Sequence, residues 1–372
     1  MSAKAPIAIS SAASVDAAAT IAVDVMGGDD APGVVLEGVI QALAADPLLS
    51  VVLAGPTDVI EAFAAQHPER LSLASASEVI GMNEHPAHAV RVKKDSSIVV
   101  GCRLVRDGRA DGFFSAGSTG ACMAAATLYI GRVKGIARPA IASVLPAPAA
   151  PVILTDVGAN ADVKPEYLVQ FAQMASVYAQ RIMGVEHPRI GLLNIGEEET
   201  KGSTLAQEAF GLMREQVEGF CGNAEGTDIL TGRFDVIVTD GFTGNVTLKT
   251  IEGTAGVLFG QLKEVFTATP LRKLAAAAVM PGLRKLKSSL SAEEVGGAPL
   301  LGLKGSCIIG HGSSSARAVA NGIAQAARCA REQVADTVAQ AVARAATDEL
   351  PEAATGVGAE TAGEAVSHHA AQ

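Results

Sequence analysis

The feature that most limits how this chain can fold is a repeated local unit: a short apolar run, a glycine-containing polar turn, and then a helix-length stretch. Such runs occur at Ile21 to Met26, Ser50 to Ala54, Gly112 to Ser115, Val152 to Val157, Ile190 to Ile195, Val236 to Thr239 and Ser306 to Ile309. Strands separated by helices cannot pair through tight hairpins, so they lie parallel and the helices cover the sheet faces. The expected fold class is α/β, a three-layer α/β/α Rossmann-like architecture with a mostly parallel sheet. The glycine turns fall at the carboxyl ends of the strands, where open α/β sheets bind their ligands.

Hydrophobic residues make up 49% of the 372 positions and Trp is absent, so the core must be built from Ala, Val, Leu and Ile. A net charge of −10 argues against nucleic acid as a partner, because a phosphate backbone needs a basic face. Cys102, Cys122, Cys221, Cys307 and Cys329 are odd in number and contain no C-x-x-C, which reads as reduced thiols in a cytoplasmic protein. Residues 1–19 lack the continuous apolar run of a signal peptide and read as a disordered leader. No window holds the roughly 18 apolar residues a spanning helix needs, so any membrane contact is peripheral. One α/β domain is expected over 20–347, closed by a long Ala-rich helix from Ser313 to Ala346, with a disordered tail over 348–372.

Within that domain, Ser118 or Thr119 can cap a helix, and Thr243 can cap the one after Gly244. From Val257 to Leu290 the pattern changes. Leu258, Phe259, Leu262, Val265 and Phe266 share one helical face, Pro270 interrupts, and the spacing resumes beyond Pro281-Gly282, which predicts a protruding amphipathic helical hairpin. Lys263, Arg272, Lys273, Arg284, Lys285 and Lys287 stand there against the single acid Glu264. A basic, amphipathic element suits an anionic membrane surface or an acidic carrier protein, and its apolar face equally suits a dimer interface.

Several turns carry candidate chemistry, each with a plainer alternative. No G-x-x-x-x-G-K-[ST] or G-x-S-x-G is present. Ser115-Ala-Gly-Ser-Thr-Gly-Ala121 places Ser115, Gly117, Ser118, Thr119 and Gly120 between strand and helix, either as a cradle of N–H groups for a phosphate or as a tight turn that needs small residues. Asp24, before Gly27, Gly28 and Asp29, meets a ligand or ties down its own loop. In Asn194-Ile-Gly-Glu-Glu-Glu-Thr-Lys201-Gly202, Lys201 lies at a helix start, where a cation opposes the dipole and its position calls for a reason. Surface decoration is the alternative there. Asp240-Gly-Phe-Thr-Gly-Asn245 again pairs glycines with an amide donor. Gly310-His311-Gly312-Ser313 lacks the third glycine of a dinucleotide fingerprint, His85 and His88 have no third metal ligand in reach, and Arg91 and Lys94 share a helical face that either meets an anion or is simply solvated.

Taken in order, Asp24-Val-Met-Gly-Gly-Asp29, Ser115 to Ala121, Asp156-Val-Gly-Ala-Asn160, Asn194-Ile-Gly-Glu-Glu198 with Lys201-Gly202, and Asp240 to Asn245 resemble the PlsX family, the phosphate acyltransferases of bacterial phospholipid synthesis. The resemblance spans about residues 20 to 345. It implies a fold akin to phosphotransacetylases and isopropylmalate dehydrogenases, a homodimer, and conversion of long-chain acyl-[acyl-carrier protein] plus inorganic phosphate into acyl phosphate and free carrier. A glycerol-3-phosphate acyltransferase would then use that product. By the family's motifs, Lys201 and Asn245 are the catalytic candidates, while Asp24, Gly27, Gly28, Asp29, Ser115, Gly117, Ser118, Thr119, Gly120, Asp156, Asn160, Asn194, Gly196, Glu198, Asp240, Thr243, Gly244 and His311 form the phosphate and substrate shell. The hairpin resembles the family's membrane-contacting element. The chemistry expects no cofactor and no metal, because phosphate is already an anionic nucleophile and a thiolate leaves readily, so positioning and charge stabilisation suffice.

Overall fold

The computed structural model describes residues 17–67, 70–269, 282 and 296–348. Its strands are β1 (Ala19–Asp24), β2 (Leu49–Gly55), β3 (Leu71–Ser75), β4 (Gly112–Ser115), β5 (Ala140–Leu145), β6 (Val152–Thr155), β7 (Ile190–Leu193), β8 (Phe220–Ala224), β9 (Val236–Val238), β10 (Ala298–Leu301) and β11 (Ser306–Ile309). The helices are α1 (Gly33–Ala45), α2 (Thr57–Ala64), α3 (Pro86–Val92), α4 (Ser97–Arg106), α5 (Thr119–Ala125), α6 (Pro165–Tyr178), α7 (Thr204–Gln216), α8 (Gly241–Thr267), α9 (Ala316–Arg331) and α10 (Val334–Asp348). A π turn extends α5 through Ala126–Ile130.

The strands form one sheet in the order β3-β2-β1-β4-β11-β10-β5-β6-β9-β7-β8. Two all-parallel blocks flank a bridge made of β10 and β5, each antiparallel to both of its neighbours. Three antiparallel pairings separate the blocks, so the blocks run in opposite directions. The register decides where they meet. Ile309 pairs with Ala298, Leu300 with Ile141, and Ala142 with Thr155. Carried across the bridge, this sets Thr155 level with Ile308, beside the end of β11. The carboxyl ends of both blocks therefore arrive at the same place from opposite sides.

Period-2 alternation splits the core between the two sheet faces. Ile21, Val23, Phe114, Ile308, Val236 and Val238 belong to one apolar cluster, while Ala22, Phe113, Cys307, Ile309 and Ile237 belong to the other. Burial on both faces is why these strands read as unbroken apolar runs. Cys102, Cys122, Cys307 and Cys329 are buried thiols and Cys221 is exposed.

Several elements depart from the sequence reading. The parallel strand begins at Ala19 and ends at Asp24, so Val25 and Met26 already belong to the turn. The bridge strands β5 and β10, and the edge strands β3 and β8, were not among the expected runs; β3 alternates weakly and β10 carries Pro299. The long helix expected from Ser313 to Ala346 is two helices, capped by Ser315 and broken at Gln333, whose φ of 51° no continuous helix accommodates. Of the expected leader and tail, residues 1–16 and 349–372 lie outside the described residues, as do residues 270–281 and 283–295 of the hairpin region.

Candidate functional site

A cleft of about 490 Å³ opens where the two blocks meet. Its floor is Ile141, Ser143 and Val144 of β5 and Ala298 of β10. From one block come Thr119, Gly310, His311 and Ser313, and from the other Val157, Asn245 and Leu248. The opposed blocks thus supply strand-end loops to a single cavity that combines an apolar floor with polar walls.

The loops of the first block are locked from within. Asp24 is 1% exposed, and its Oδ2 accepts a 2.7 Å hydrogen bond from Ser115 Oγ while Oδ1 accepts from Met26 N–H. Burial pushes its carboxyl above the ordinary aspartate range, against hydrogen bonds from Ser97, Ser115 and the Met26 N–H. Ser115 Oγ in turn accepts from Gly117 N–H at 3.0 Å. Asp24 and Ser115 therefore tie their own loops together, the plainer of the two readings open for Asp24. Gly27 makes the tie possible, since a Cβ there would sit 2.6 Å from Asp24 Oδ2. Asp29 N–H donates to the Gly312 carbonyl at 2.8 Å, joining the Gly27-Gly28 turn to the loop of His311, whose Nδ1 faces Ser313 Oγ at 2.8 Å. Ser118, at the N-cap of α5, is buried without a side-chain capping bond, and Gly120 packs on Pro86. Thr119 alone of the Ser115 to Gly120 turn reaches the cleft lining.

The second block is built around Asp156, which is fully buried. Its Oδ1 accepts from the N–H groups of Ile141, Gly158 and Ala159, and its Oδ2 from the N–H and Nδ2 of Asn160. Burial pushes this carboxyl up, and those donors pull it back. On the next strand, Asp240 caps α8 through a 2.8 Å bond from Thr243 N–H, so the helix starts at Gly241. Thr243 is inside the helix and does not cap it. Gly244 packs directly on the Asp156 carbonyl, where any Cβ would collide, and this contact seats Asn245 over the turn. Asn245 Nδ2 donates to the Val157 carbonyl at 3.0 Å, which fixes the amide and leaves its second N–H for the cleft.

Lys201 belongs to the neighbouring loop, after β7. Asn194 Nδ2 donates to the Lys201 carbonyl, Lys201 N–H donates to the Glu198 carbonyl, and buried Asn223 Nδ2 donates to the same Glu198 oxygen. Gly196 lies under the Lys201 side chain, which is exposed. Because β6, β9 and β7 are parallel neighbours with Thr155, Val238 and Leu192 in register, Lys201 and Asn245 leave the same sheet edge. Asn245 lines the cleft; Lys201 stands on the adjacent loop and is not part of that lining.

Beyond its first turn α8 stands away from the core. Gly241 and Gly244 are its buried residues, whereas Val257, Leu258, Leu262 and Val265 are exposed, with Lys263 beside them. Phe259 and Phe266 are partly covered. Arg272, Lys273, Arg284, Lys285 and Lys287 lie outside the described residues. Among the described residues no helix is long and apolar enough to cross a membrane, and no three His, Cys, Asp or Glu side chains group as metal ligands.

Ser97, whose hydroxyl helps to lower the Asp24 carboxyl, stands in sequence in a polar cluster with Arg91 and Lys94 that gave it no role at this site. The β5 floor of the cleft had no usable signal, because β5 is followed by no glycine turn of the repeated kind.

Comparison with known proteins places the geometry in context. A family described as "Fatty acid synthesis protein" matches residues 19–337. A phosphate acyltransferase of Desulfitobacterium hafniense strain Y51 is 52% identical over 312 residues, covering 83% of this chain and 93% of that protein. One from Heliobacterium modesticaldum is 50% identical over 318 residues, covering 84% and 93%. Among solved structures, a phosphotransacetylase from Streptococcus pyogenes superposes with a TM-score of 0.54 at 17% identity, covering 86% of this chain and 94% of that one. A branched-chain phosphotransacylase from Enterococcus faecalis V583 gives 0.53 at 16% identity, covering 84% and 99%. At such identities these two likenesses speak for the α/β/α fold.

Proposed function

The chain belongs to the PlsX family, the phosphate acyltransferases, and from that premise we propose that it transfers a long-chain acyl group from acyl-carrier protein to inorganic phosphate in the cleft lined by Asn245. A phosphate oxygen attacks the thioester carbonyl carbon, the C–S bond breaks, and acyl phosphate and the carrier thiol leave, the proton of hydrogen phosphate passing to the departing sulfur. The step needs a donor aimed at the developing oxyanion and a cation for the incoming phosphate. Asn245 fills the first role, its amide held by the Val157 carbonyl. Lys201 fills the second, from the next loop of the same sheet edge. N–H groups of the glycine turns, with Thr119, share the anionic load. The observation that carries this reading is the fixed amide of Asn245 over an apolar-floored cleft, which offers an oxyanion donor beside space for a hydrocarbon chain.

Three further properties belong to this proposal. The chain works as a homodimer, and its acyl phosphate goes to a glycerol-3-phosphate acyltransferase. It rests peripherally on anionic membrane through the outer half of α8, supported by the exposed Val257, Leu258, Leu262 and Val265 and the neighbouring Lys263.

The competing reading is a short-chain phosphotransacetylase, favoured by the fold likeness alone. Purified protein supplied with phosphate and either palmitoyl-carrier protein or acetyl-coenzyme A distinguishes them. Phosphate-dependent consumption of the carrier thioester, with little turnover of the acetyl donor, is the expected result. The reverse preference would overturn it.

A further inference from the structure

A second cavity, of about 820 Å³, lies beside the cleft and shares two of its walls. Thr119, at the start of α5, lines the cleft, and further along the same helical run Met123 and Thr127 line the second cavity. Val157 of the turn built on Asp156 faces the cleft, while Ala159 and Asn160 of that turn face the cavity. Asn160 is anchored there by its Nδ2 bond to the Pro139 carbonyl.

The charge of this cavity is unlike that of the molecule. The chain carries 39 acidic and 29 basic residues, yet among the described residues the lining holds Arg91, Arg132 and Arg138 and no acid. Arg132 is partly engaged, donating to the Ile136 and Ala137 carbonyls. Arg91 and Arg138 have no hydrogen-bond or ion-pair partner among the described residues. Three guanidinium groups raised on two segments, α3 and the chain leading into β5, give this cavity a positive lining that favours an anion. Planar guanidinium forks match phosphate oxygens, and Val90, Met123 and Leu128 add apolar surface beside the polar Thr127 and Asn160. The cavity thus combines an arginine-rich lining with partly apolar surface, and it reaches the turn under Asn245 at Ala159 and Asn160.

We propose that this cavity takes the phosphodiester end of the donor's phosphopantetheine arm, with Arg91 and Arg138 as specificity residues that hold the phosphate while the thioester reaches the cleft past Asn160. The inference rests on the carrier-thioester reading above, and it places donor and acceptor phosphate in separate sites. Arg91→Gln, Arg138→Gln and the double variant test it, assayed with acyl-carrier protein, with an acyl-pantetheine that lacks the phosphate, and with varied inorganic phosphate. The expected result is a KM for acyl-carrier protein raised about 10- to 100-fold in the double variant, kcat for that donor largely kept, and unchanged kinetics with acyl-pantetheine and for phosphate. Arg91→Lys with Arg138→Lys, which keeps charge and loses the fork, should recover part of the loss. A raised KM for inorganic phosphate would assign the cavity to the acceptor instead. Equal losses with both donors would make the arginines structural, a lowered oligomer mass would make them interface residues, and unchanged kinetics throughout would make them solvated; each of these overturns the proposal. Failure of the carrier-thioester reading itself would appear differently, as a parent protein that does not turn over acyl-carrier protein.

Discussion

Two buried carboxylates and one fixed amide organise the site at the scale of single residues. Asp24 and Asp156 look like ligand groups in the sequence because each follows a strand and precedes glycine, and in the structure both accept hydrogen bonds from their own turns and from another strand. Sequence spacing finds the position of such a carboxylate and cannot tell which way its oxygens face. Asn245 keeps a donor for the cleft, so Asn245→Ala should leave the fold intact and lower kcat by about 10²- to 10³-fold, measured as acyl-phosphate formation. Asp24 makes a pH prediction. Burial is the dominant cause of its raised carboxyl, so the folded chain holds the proton more tightly than the unfolded one. Its stabilising contribution is then full below the ordinary aspartate range and lost as pH rises through the higher folded value. Stability of the parent relative to Asp24→Asn should therefore fall from acid to neutral pH, read by denaturant unfolding at each pH; a rising difference would mean that the carboxylate is the favoured form.

At the scale of elements, the junction between α8 and the turn built on Asp156 decides whether Asn245 is in place. The Asp240 cap and the contact of Gly244 with the Asp156 carbonyl together fix where the helix begins. Gly244→Ala should destabilise the protein by about 1 to 3 kcal/mol or more, since backbone must move to admit the methyl group, and should depress kcat beyond what the change in melting temperature explains. If activity at a permissive temperature were normal, the seating of Asn245 would not depend on this contact. This junction was half legible. Asp240-Gly-Phe-Thr-Gly-Asn245 announces a glycine-rich helix start, yet Asp240 and Thr243 are equally good capping types, and only the geometry of the Thr243 N–H chooses between them. The outer half of α8 behaves differently. Leu258→Gln with Val265→Gln should leave the unfolding transition unchanged, because both side chains are exposed, and should weaken binding to anionic vesicles in flotation assays.

For the whole molecule, the arrangement of the blocks matters more than their number. The apolar runs of β1, β2, β4, β6, β7, β9 and β11 announce parallel strands and a three-layer sandwich, and that much of the fold is written in the sequence. The opposition of the two blocks is not, because it depends on β5 and β10, antiparallel strands whose pairing is decided by contacts distant in the chain. Those two strands set Thr155 beside the end of β11, and so turn two separate rows of strand-end loops into one cleft. The proposed acyl transfer to phosphate takes place inside that cleft. The most direct measurement mixes purified protein with long-chain acyl-carrier protein and phosphate, traps acyl phosphate with hydroxylamine, and counts it against released carrier thiol. Equal amounts of both are expected, with strict dependence on phosphate and a rate about 10²- to 10³-fold lower for Asn245→Ala; thiol released at the same rate without phosphate, or an undiminished rate in the variant, would overturn acyl transfer to phosphate at this site.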